Sequence, residues 1–187
     1  PQELRTAFSD RDVFILAELP SILQRDNKGK RRPIIMDSDS IYLPSYERFR
    51  SNLRRLGSDS SGVVLVTSVT SEEGKSVCSY NLAIASAQAG KRTLLIEADL
   101  RSPSNCHYFE MTLDPRASME PLRYYEDYND AIRLVSDIEN LYIIPSPGPV
   151  KRPAAIIESN ELKHLIKESR HRFDMVIIDT PSLSSCN

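Results

Sequence analysis

The chain has 187 residues, 40% hydrophobic and 27% charged, with 24 Lys and Arg against 26 Asp and Glu for a formal net charge of −2. That composition describes a soluble globular chain long enough to bury a core, and it excludes a disordered segment. The near balance of charge gives no general attraction for nucleic acid, so none is expected as a partner, and any basic function must be local.

No apolar run approaches the roughly 20 residues that a membrane-spanning helix needs. The first residues, PQELRTAFSD, lack the apolar centre of a signal peptide. Cys78, Cys106 and Cys186 are odd in number and widely spaced, which suits a reducing compartment and idle thiols better than a disulfide framework or a zinc site. A cytosolic location is the expectation for this stretch of chain.

In chain order, residues 13–19 (VFILAEL), stopped by Pro20, predict a short strand. Residues 24–32 form a polar linker carrying Arg25, Lys28, Lys30, Arg31 and Arg32, which reads either as a solvated loop or as a contact for anionic lipid headgroups. Next, Tyr46, Phe49, Leu53 and Leu56 recur at helical spacing with charges opposite and Gly57 as a stop, predicting an amphipathic helix. From Val63 onward short apolar runs alternate with longer amphipathic ones. The order is a strand at VVLVT, a helix over 75–89, a strand at TLLIEAD, a helical stretch near 125–135, and a strand at LYIIP. Helix then returns over 153–170, broken near Ser159 as an N-cap, before a buried strand in FDMVIIDTP ending at Asp179. Parallel neighbours must be joined by crossing segments, so this alternation predicts an α/β chain with a mostly parallel sheet and helices on both faces. The sequence stops one short loop after Asp179, which predicts an incomplete C-terminal end.

The stretch VTSVTSEEGKS places Gly74-Lys75-Ser76 at the start of a helix that follows a strand and a loop. In that geometry backbone N–H groups and the helix N-terminus hold a phosphate, a lysine neutralises the terminal phosphates and a hydroxyl ligates Mg²⁺. Ser71, Glu72, Glu73, Gly74, Lys75, Ser76 and Val77 are the candidate nucleotide-contacting residues. Val69 occupies the first glycine of the G-x-x-x-x-G-K-[ST] pattern. A carboxylate about 5 Å from a phosphate charge would cost on the order of 3 kcal/mol, so Glu72 and Glu73 must direct their side chains outward. Glu97 and Asp99 alternate at the end of one strand and Asp179 ends another, which predicts carboxylates beside the loop at the edge where open parallel sheets bind ligands. Acids at two strand ends beside a GKS loop suit Mg²⁺-nucleotide chemistry, with Ser76, Asp99 and Asp179 as metal candidates and Glu97, Asp99 and Lys75 as catalytic ones. Tyr124, Tyr125 and Tyr128 are expected to be packing or surface residues.

These residues carry a resemblance. The stretches TSVTSEEGKSVCSYNLAIASAQAGKRTLLIEADLRSP, LYIIPSPGPVKRPAAIIES and FDMVIIDTPS are similar, in order, to the Walker A, Walker A′ and Walker B regions of the bacterial tyrosine kinases (BY-kinases) and the segment between the last two. That family comprises the cytoplasmic P-loop ATPase domains of polysaccharide co-polymerases, which set chain length in capsule and exopolysaccharide export. VFILAELP resembles the family's juxtamembrane segment and YERFRSNLRRL the helix before the kinase core, dividing the chain at 1–60 and 61–187.

The resemblance implies ATP and Mg²⁺ as cofactors, with Lys75 and Ser76 on the phosphates and metal. Asp99 takes the Walker A′ place, Asp179 the Walker B place, and Arg101 that of the arginine following in ADLR. Glu97 falls where the family has an aspartate proposed to activate the tyrosine hydroxyl. As partners it implies the inner membrane, through transmembrane helices outside this chain, further copies of itself, and the polysaccharide polymerase and export machinery. Ser71 and Glu72 stand in place of Pro-Gly, and the family's E-x-x-R-x-x-R helix is represented by Glu47 and Arg50 with Leu53 third. The loop departures at Val69 and Glu72 leave a regulatory assembly module with little or no nucleotide turnover as the alternative reading. A partitioning or cell-division ATPase is disfavoured by Thr70, which stands where those proteins carry a signature lysine.

Overall fold

Three apolar runs, LLI, YII and VII, lie inside parallel strands whose two faces are both covered, which is why they read as continuous rather than alternating. The computed structural model describes residues 14–20, 41–56, 62–103, 109, 111–112 and 115–185. The described elements are α1 (Leu43–Leu56), β1 (Gly62–Val66), α2 (Lys75–Gln88), β2 (Thr93–Glu97), α3 (Pro115–Met119), α4 (Pro121–Glu126) and α5 (Tyr128–Ala131). There follow β3 (Arg133–Leu134), β4 (Leu141–Ile144), α6 (Pro153–Ile157), α7 (Asn160–Arg172), β5 (Met175–Asp179) and a 3₁₀ turn at Leu183–Ser185. The sheet runs in the order β1-β5-β2-β4-β3. Its pairs are parallel except β3 with β4.

Alternation along the strands sorts the core into two layers. Leu95, Ile143 and Ile177 pack with Tyr80, Leu82, Ile84 and Ala87 of α2. Leu94, Ile96, Ile144, Val176 and Ile178 pack with Ile156, Leu162, Leu165 and Phe173 on the other side. Helices therefore cover both faces, as expected. Because α1 packs over α2, α2 is enclosed around most of its circumference, which explains the small buried residues Ala83, Ala85, Ser86 and Ala87 beside Ile84. Tyr46 of α1 is buried against it, with its hydroxyl oxygen 3.5 Å from Asn81 Nδ2. Burial pushes that phenol up to about 12. After Ala89, Gly90 at φ +76 ends the helix. The N–H groups of Gly90 and Lys91 donate to Ala87 O and Ser86 O at 2.9 and 3.2 Å, the paired bonds of a Schellman turn.

Two sequence expectations need correction. Residues 14–20 form no strand, and Val13 lies outside the described residues, as does the basic linker at 24–32. Instead of joining a sheet edge, this segment docks on α1. Asn52 Nδ2 donates to Leu16 O at 2.6 Å, and Leu19 packs against the α2-side core. The helix expected near 125–135 is broken in two and gives way to β3. Asp127, in an extended conformation, accepts the N–H groups of Asn129 and Asp130 and so restarts the helix. Asn140 then takes a left-handed φ of +65 and turns the chain into a β3–β4 hairpin.

The tyrosines of this region are structural. Tyr125 is buried, the Tyr124 hydroxyl donates to Pro145 O at 2.9 Å, and the Arg172 guanidinium sits 4.5 Å from the Tyr128 ring centre. The expected N-cap at Ser159 is present, its Oγ accepting the Leu162 N–H at 3.2 Å. Among the described residues no helix is long and apolar enough to cross a membrane. Ser159→Ala should lower unfolding stability by about 1 kcal/mol, read as a shift in the chemical denaturation midpoint at unchanged slope.

Candidate functional site

With β5 lying between β1 and β2, the loops that leave these three strands converge at one end of the sheet. The loop after β1 is fastened to the turn after β5. Thr180 donates through both N and Oγ1 to Val66 O (3.1 and 2.9 Å), and Leu183 N and Ser184 N donate to Ser68 O and Val69 O (2.9 and 3.1 Å). Thr67 Oγ1 donates to Pro181 O at 3.0 Å, and the Ser71 and Ser182 hydroxyls lie 3.3 Å apart.

The other end of this loop opens a helix. Gly74, at φ +87, is the N-cap of α2 and offers no side-chain cap. A residue with a β-carbon is strained at that φ. Cys78 N closes the first intrahelical bond onto Gly74 O at 2.8 Å, so the N–H groups of Lys75, Ser76 and Val77 have no helical acceptor. They form the anion-binding end expected of this motif. Glu72 and Glu73 are both exposed, and Glu73 folds back on the loop. Both line a cleft beside Lys75, and their contact with solvent lowers the electrostatic cost of carboxylates in this loop. The main chain at Glu72 nevertheless has φ +66, a region that favours glycine.

Facing the start of α2 are two acids. Asp179 is fully buried, and its Oδ1 accepts the Ser79 hydroxyl at 3.1 Å. Its Oδ2 is a buried oxygen with no hydrogen-bond partner at normal distance among the described residues, although the Ser76 hydroxyl is near enough to favour the ionised carboxylate. Burial raises its pKa to about 6, the neighbouring Ser76, Lys75 and Ser79 acting in the opposite direction. Asp99 is nearly enclosed at 8% exposed, and its Oδ2 lies 3.9 Å from Lys75 Nζ. Its Oδ1 accepts the N–H groups of Arg101 and Ser102 at 3.1 and 3.0 Å, while the Arg101 guanidinium donates to Ser185 O.

The sequence placed Glu97 beside Asp99 by alternation. β2 ends at Glu97, however, and Asp99 belongs to the following loop. Glu97 pairs in register with Asp179, is fully buried, and accepts the Ser146 N–H at 3.0 Å. Lys75, Ser76, Asp99 and Asp179 are thus brought together, and Glu97 lies in the interior beside them. A cleft of about 540 Å³ flanks the loop, lined by Leu19, Pro20, Tyr46, Lys75 and Cys78 among others, and it leaves both aspartates outside. Burial pushes the Cys78 thiol up to about 11, which fits the idle role expected of it. Cys106 and Cys186 lie outside the described residues.

Sequence reading missed Ser79 and Ser146. Ser79 had a signal, since it stands three residues after Ser76 and so shares its helix face. Ser146 had none, because its amide reaches Glu97 only through the pairing of β2 with β4.

The donors fit a magnesium nucleotide. An uncapped helix start supplies N–H groups for phosphate, and the orphaned Asp179 oxygen supplies a hard ligand. Among the described residues no group of three or more His, Cys, Asp or Glu forms a ready-made metal cage. Mg²⁺ does not need one, because it commonly binds through one or two carboxylates together with phosphate oxygens and water.

Residues 64–172 match the CobQ/CobB/MinD/ParA nucleotide binding domain family. Over 167 residues the chain is 33% identical to the tyrosine-protein kinase YwqD of Bacillus subtilis, covering 85% of this chain and 68% of that protein. It is 32% identical over 157 residues to the tyrosine-protein kinase ptk of Acinetobacter johnsonii, covering 82% of this chain. It spans only 21% of the length of ptk. In fold, the crystal structure of the chimerical protein CapA2B2 is similar with a TM-score of 0.81 at 24% identity, covering 98% of this chain and 76% of that one.

Two outcomes follow from this geometry. Native Asp179 holds its proton up to a higher pH than the unfolded chain does, so it lowers stability above pH 6, and this cost fades as pH falls and is gone only below 3.8. In nucleotide-free, chelated protein, Asp179→Asn should therefore be the more stable form at pH 7.5, by on the order of 2 kcal/mol. The gap should narrow to roughly a third at pH 4.5 and close only below the unfolded value of 3.8, as denaturation at pH 7.5, 4.5 and 3 would reveal. Glu72→Gly should relieve the left-handed strain and raise stability by up to about 1 kcal/mol, measurable as a higher denaturation midpoint.

Proposed function

The chain belongs to the CobQ/CobB/MinD/ParA nucleotide-binding family, in its bacterial tyrosine-kinase branch, and from that premise we propose that it carries an ATP-dependent tyrosine (auto)kinase site. The observation that carries this reading is the convergence of Lys75, Asp99 and the unpartnered Asp179 oxygen on the uncapped start of α2. In this reading the main chain of Ser71, Glu72, Glu73, Gly74 and Val77 lines the phosphates. Lys75 offsets their charge, and Ser76, Asp99 and Asp179 hold Mg²⁺. Mg²⁺ held by these residues would neutralise the charge that develops during transfer.

The residues of this chain supply position and proton handling. A tyrosine hydroxyl attacking the terminal phosphate forms a new P–O bond as the bond to the β-phosphate oxygen breaks and ADP leaves; the hydroxyl must lose its proton, and Asp99 or Glu97 takes it. Asp99 is the better placed of the two, since it touches Lys75 at the mouth of the site while Glu97 is enclosed and engaged by Ser146. Lys75 and the amides at the start of α2 stabilise the charge as it develops.

The biological setting follows the same family. The domain serves polysaccharide chain-length control and export, at the cytoplasmic face of the bacterial inner membrane, held there by transmembrane helices outside this chain. Residues 1–60 form the juxtamembrane part and the helix that precedes the core, and residues 61–187 belong to the core. Its partners are the polymerase and export machinery and further copies of itself, although α1 carries only a partial match to the family's assembly motif. There Glu47 is exposed, and Arg50 Nε is buried with no hydrogen-bond partner among the described residues. A second reading, a regulatory assembly module with little turnover, is favoured by one observation, the strained Glu72 in a loop that must close on phosphate.

The two readings separate in one assay. Full-length protein incubated with Mg²⁺-ATP should gain phosphotyrosine, and Lys75→Met should abolish the signal. No phosphotyrosine and no calorimetric ATP binding in the wild type would reject the kinase and leave the regulatory module.

A further inference from the structure

The phosphate loop lacks the residues that usually let such a loop bend, because Val69 and Glu72 stand at positions where glycine is common and Ser71 at one where proline is. Something else must hold its shape. Glu73 Oε2 accepts the Val69 N–H at 3.2 Å, and its Oε1 accepts both the Thr70 N–H at 3.3 Å and the Thr70 hydroxyl at 2.6 Å. Ser68 Oγ donates to Thr70 O at 2.7 Å. The spacing Thr70-Ser71-Glu72-Glu73 is that of a capping box, in which a glutamate reaches back to the N–H three residues earlier. Here it closes a turn within the loop, ahead of the helix.

We propose that Glu73 is a positioning residue for nucleotide, its carboxylate clasping Val69 and Thr70 so that the loop keeps its phosphate-binding shape before any ligand arrives. Three features of the geometry support this role. The carboxylate is spent on the outer half of the loop, so it does not occupy the amides of Lys75, Ser76 and Val77. Those hydrogen bonds stabilise the ionised carboxyl and lower its pKa below the ordinary glutamate value, with the Thr70 hydroxyl contributing most. The carbonyls of Ser68 and Val69 are already taken by Leu183 and Ser184, so with the clasp in place the outer half of the loop is satisfied internally. Preorganisation of this kind lowers the cost of ordering the loop on binding, and it appears in affinity rather than in the chemical step.

This inference rests on the nucleotide reading, and the experiment keeps the two apart. Calorimetry with Mg²⁺-ADP would be run on wild type, Glu73→Ala, Thr70→Val, the double variant and Glu73→Gln, together with amide exchange at Val69 and Thr70 in nucleotide-free protein. Glu73→Ala and Thr70→Val should each weaken binding about fivefold. The double variant should be no weaker than the stronger single effect, and Glu73→Gln should recover part of the loss. Both single variants should speed exchange at Val69 and Thr70, and in turnover they should raise KM while leaving kcat nearly unchanged. If Glu73→Ala binds as tightly as wild type or tighter, carboxylate repulsion outweighs the clasp and the proposal fails. The same holds if Thr70→Val changes neither binding nor exchange. Wild type that binds no Mg²⁺-ADP would overturn the nucleotide reading and the positioning role together, whereas tight wild-type binding with unaffected variants would overturn the clasp alone.

Discussion

Asp179 ends the strand between β1 and β2, buried against a helix start that presents only N–H groups, a lysine and hydroxyls. A carboxylate in such a place is costly unless something positive or hydrogen-bonding meets it. The sequence meets the cost with one turn of α2: Ser79 reaches one oxygen, and Lys75 and Ser76 stand at the mouth. Among the described residues the second oxygen has no hydrogen-bond partner at normal distance, which suits the metal role proposed for it. The rest of the site is arranged around this opposition. The loop after β1 must lie on one side of Asp179 and the loop after β2 on the other, because their strands flank β5.

Much of this was legible in the sequence, for reasons that differ by element. β2 and β5 carry continuous apolar runs bounded by polar residues, α7 has both a serine cap and a helical period, and GKS announces the start of α2. Lys75, Ser76, Asp99 and Asp179 could be placed near one another because each lies at or just beyond the end of a well-signalled element. The misreadings fall where tertiary contacts override local preference. Residues 14–20 are apolar enough for a strand, but Asn52 and the core offered them a docking surface instead. The break at Asp127 and the hairpin at Asn140 depend on backbone conformations that a helical period does not exclude. Asp99 was placed beside Glu97 by extrapolating strand alternation beyond the last paired residue, which is Glu97 itself, and the contact of Glu97 with Ser146 depends on a segment some fifty residues away in sequence.

The loop shows how departures from a motif can offset one another. Losing glycine at Val69 and Glu72 removes torsional freedom and adds strain at φ +66. Side chains supply bonds a glycine loop would lack, from Thr70 to the Glu73 carboxylate within the loop and between Ser71 and Ser182 across to the β5 turn. A loop of this kind is held by its side chains, so it is sensitive to substitutions outside the residues that touch phosphate. Counting motif matches alone would have undervalued it.

The strand order also has a consequence for how the chain acquires its shape. β1 and β2 are separated in sequence by a single helix yet do not touch as strands, because β5 lies between them and begins only at Met175. Until the last of the three is available, the first two have no sheet partner in common, and Val66 O has no Thr180 to bind. Closing such a distant pairing carries a loop-entropy cost that local contacts must bear in the meantime, and it places parallel sheets among the slower folds. During synthesis the β1 loop would therefore emerge from the ribosome long before the residues that fasten it. The site would be completed in one late step, when the strand ending in Asp179 inserts between its neighbours.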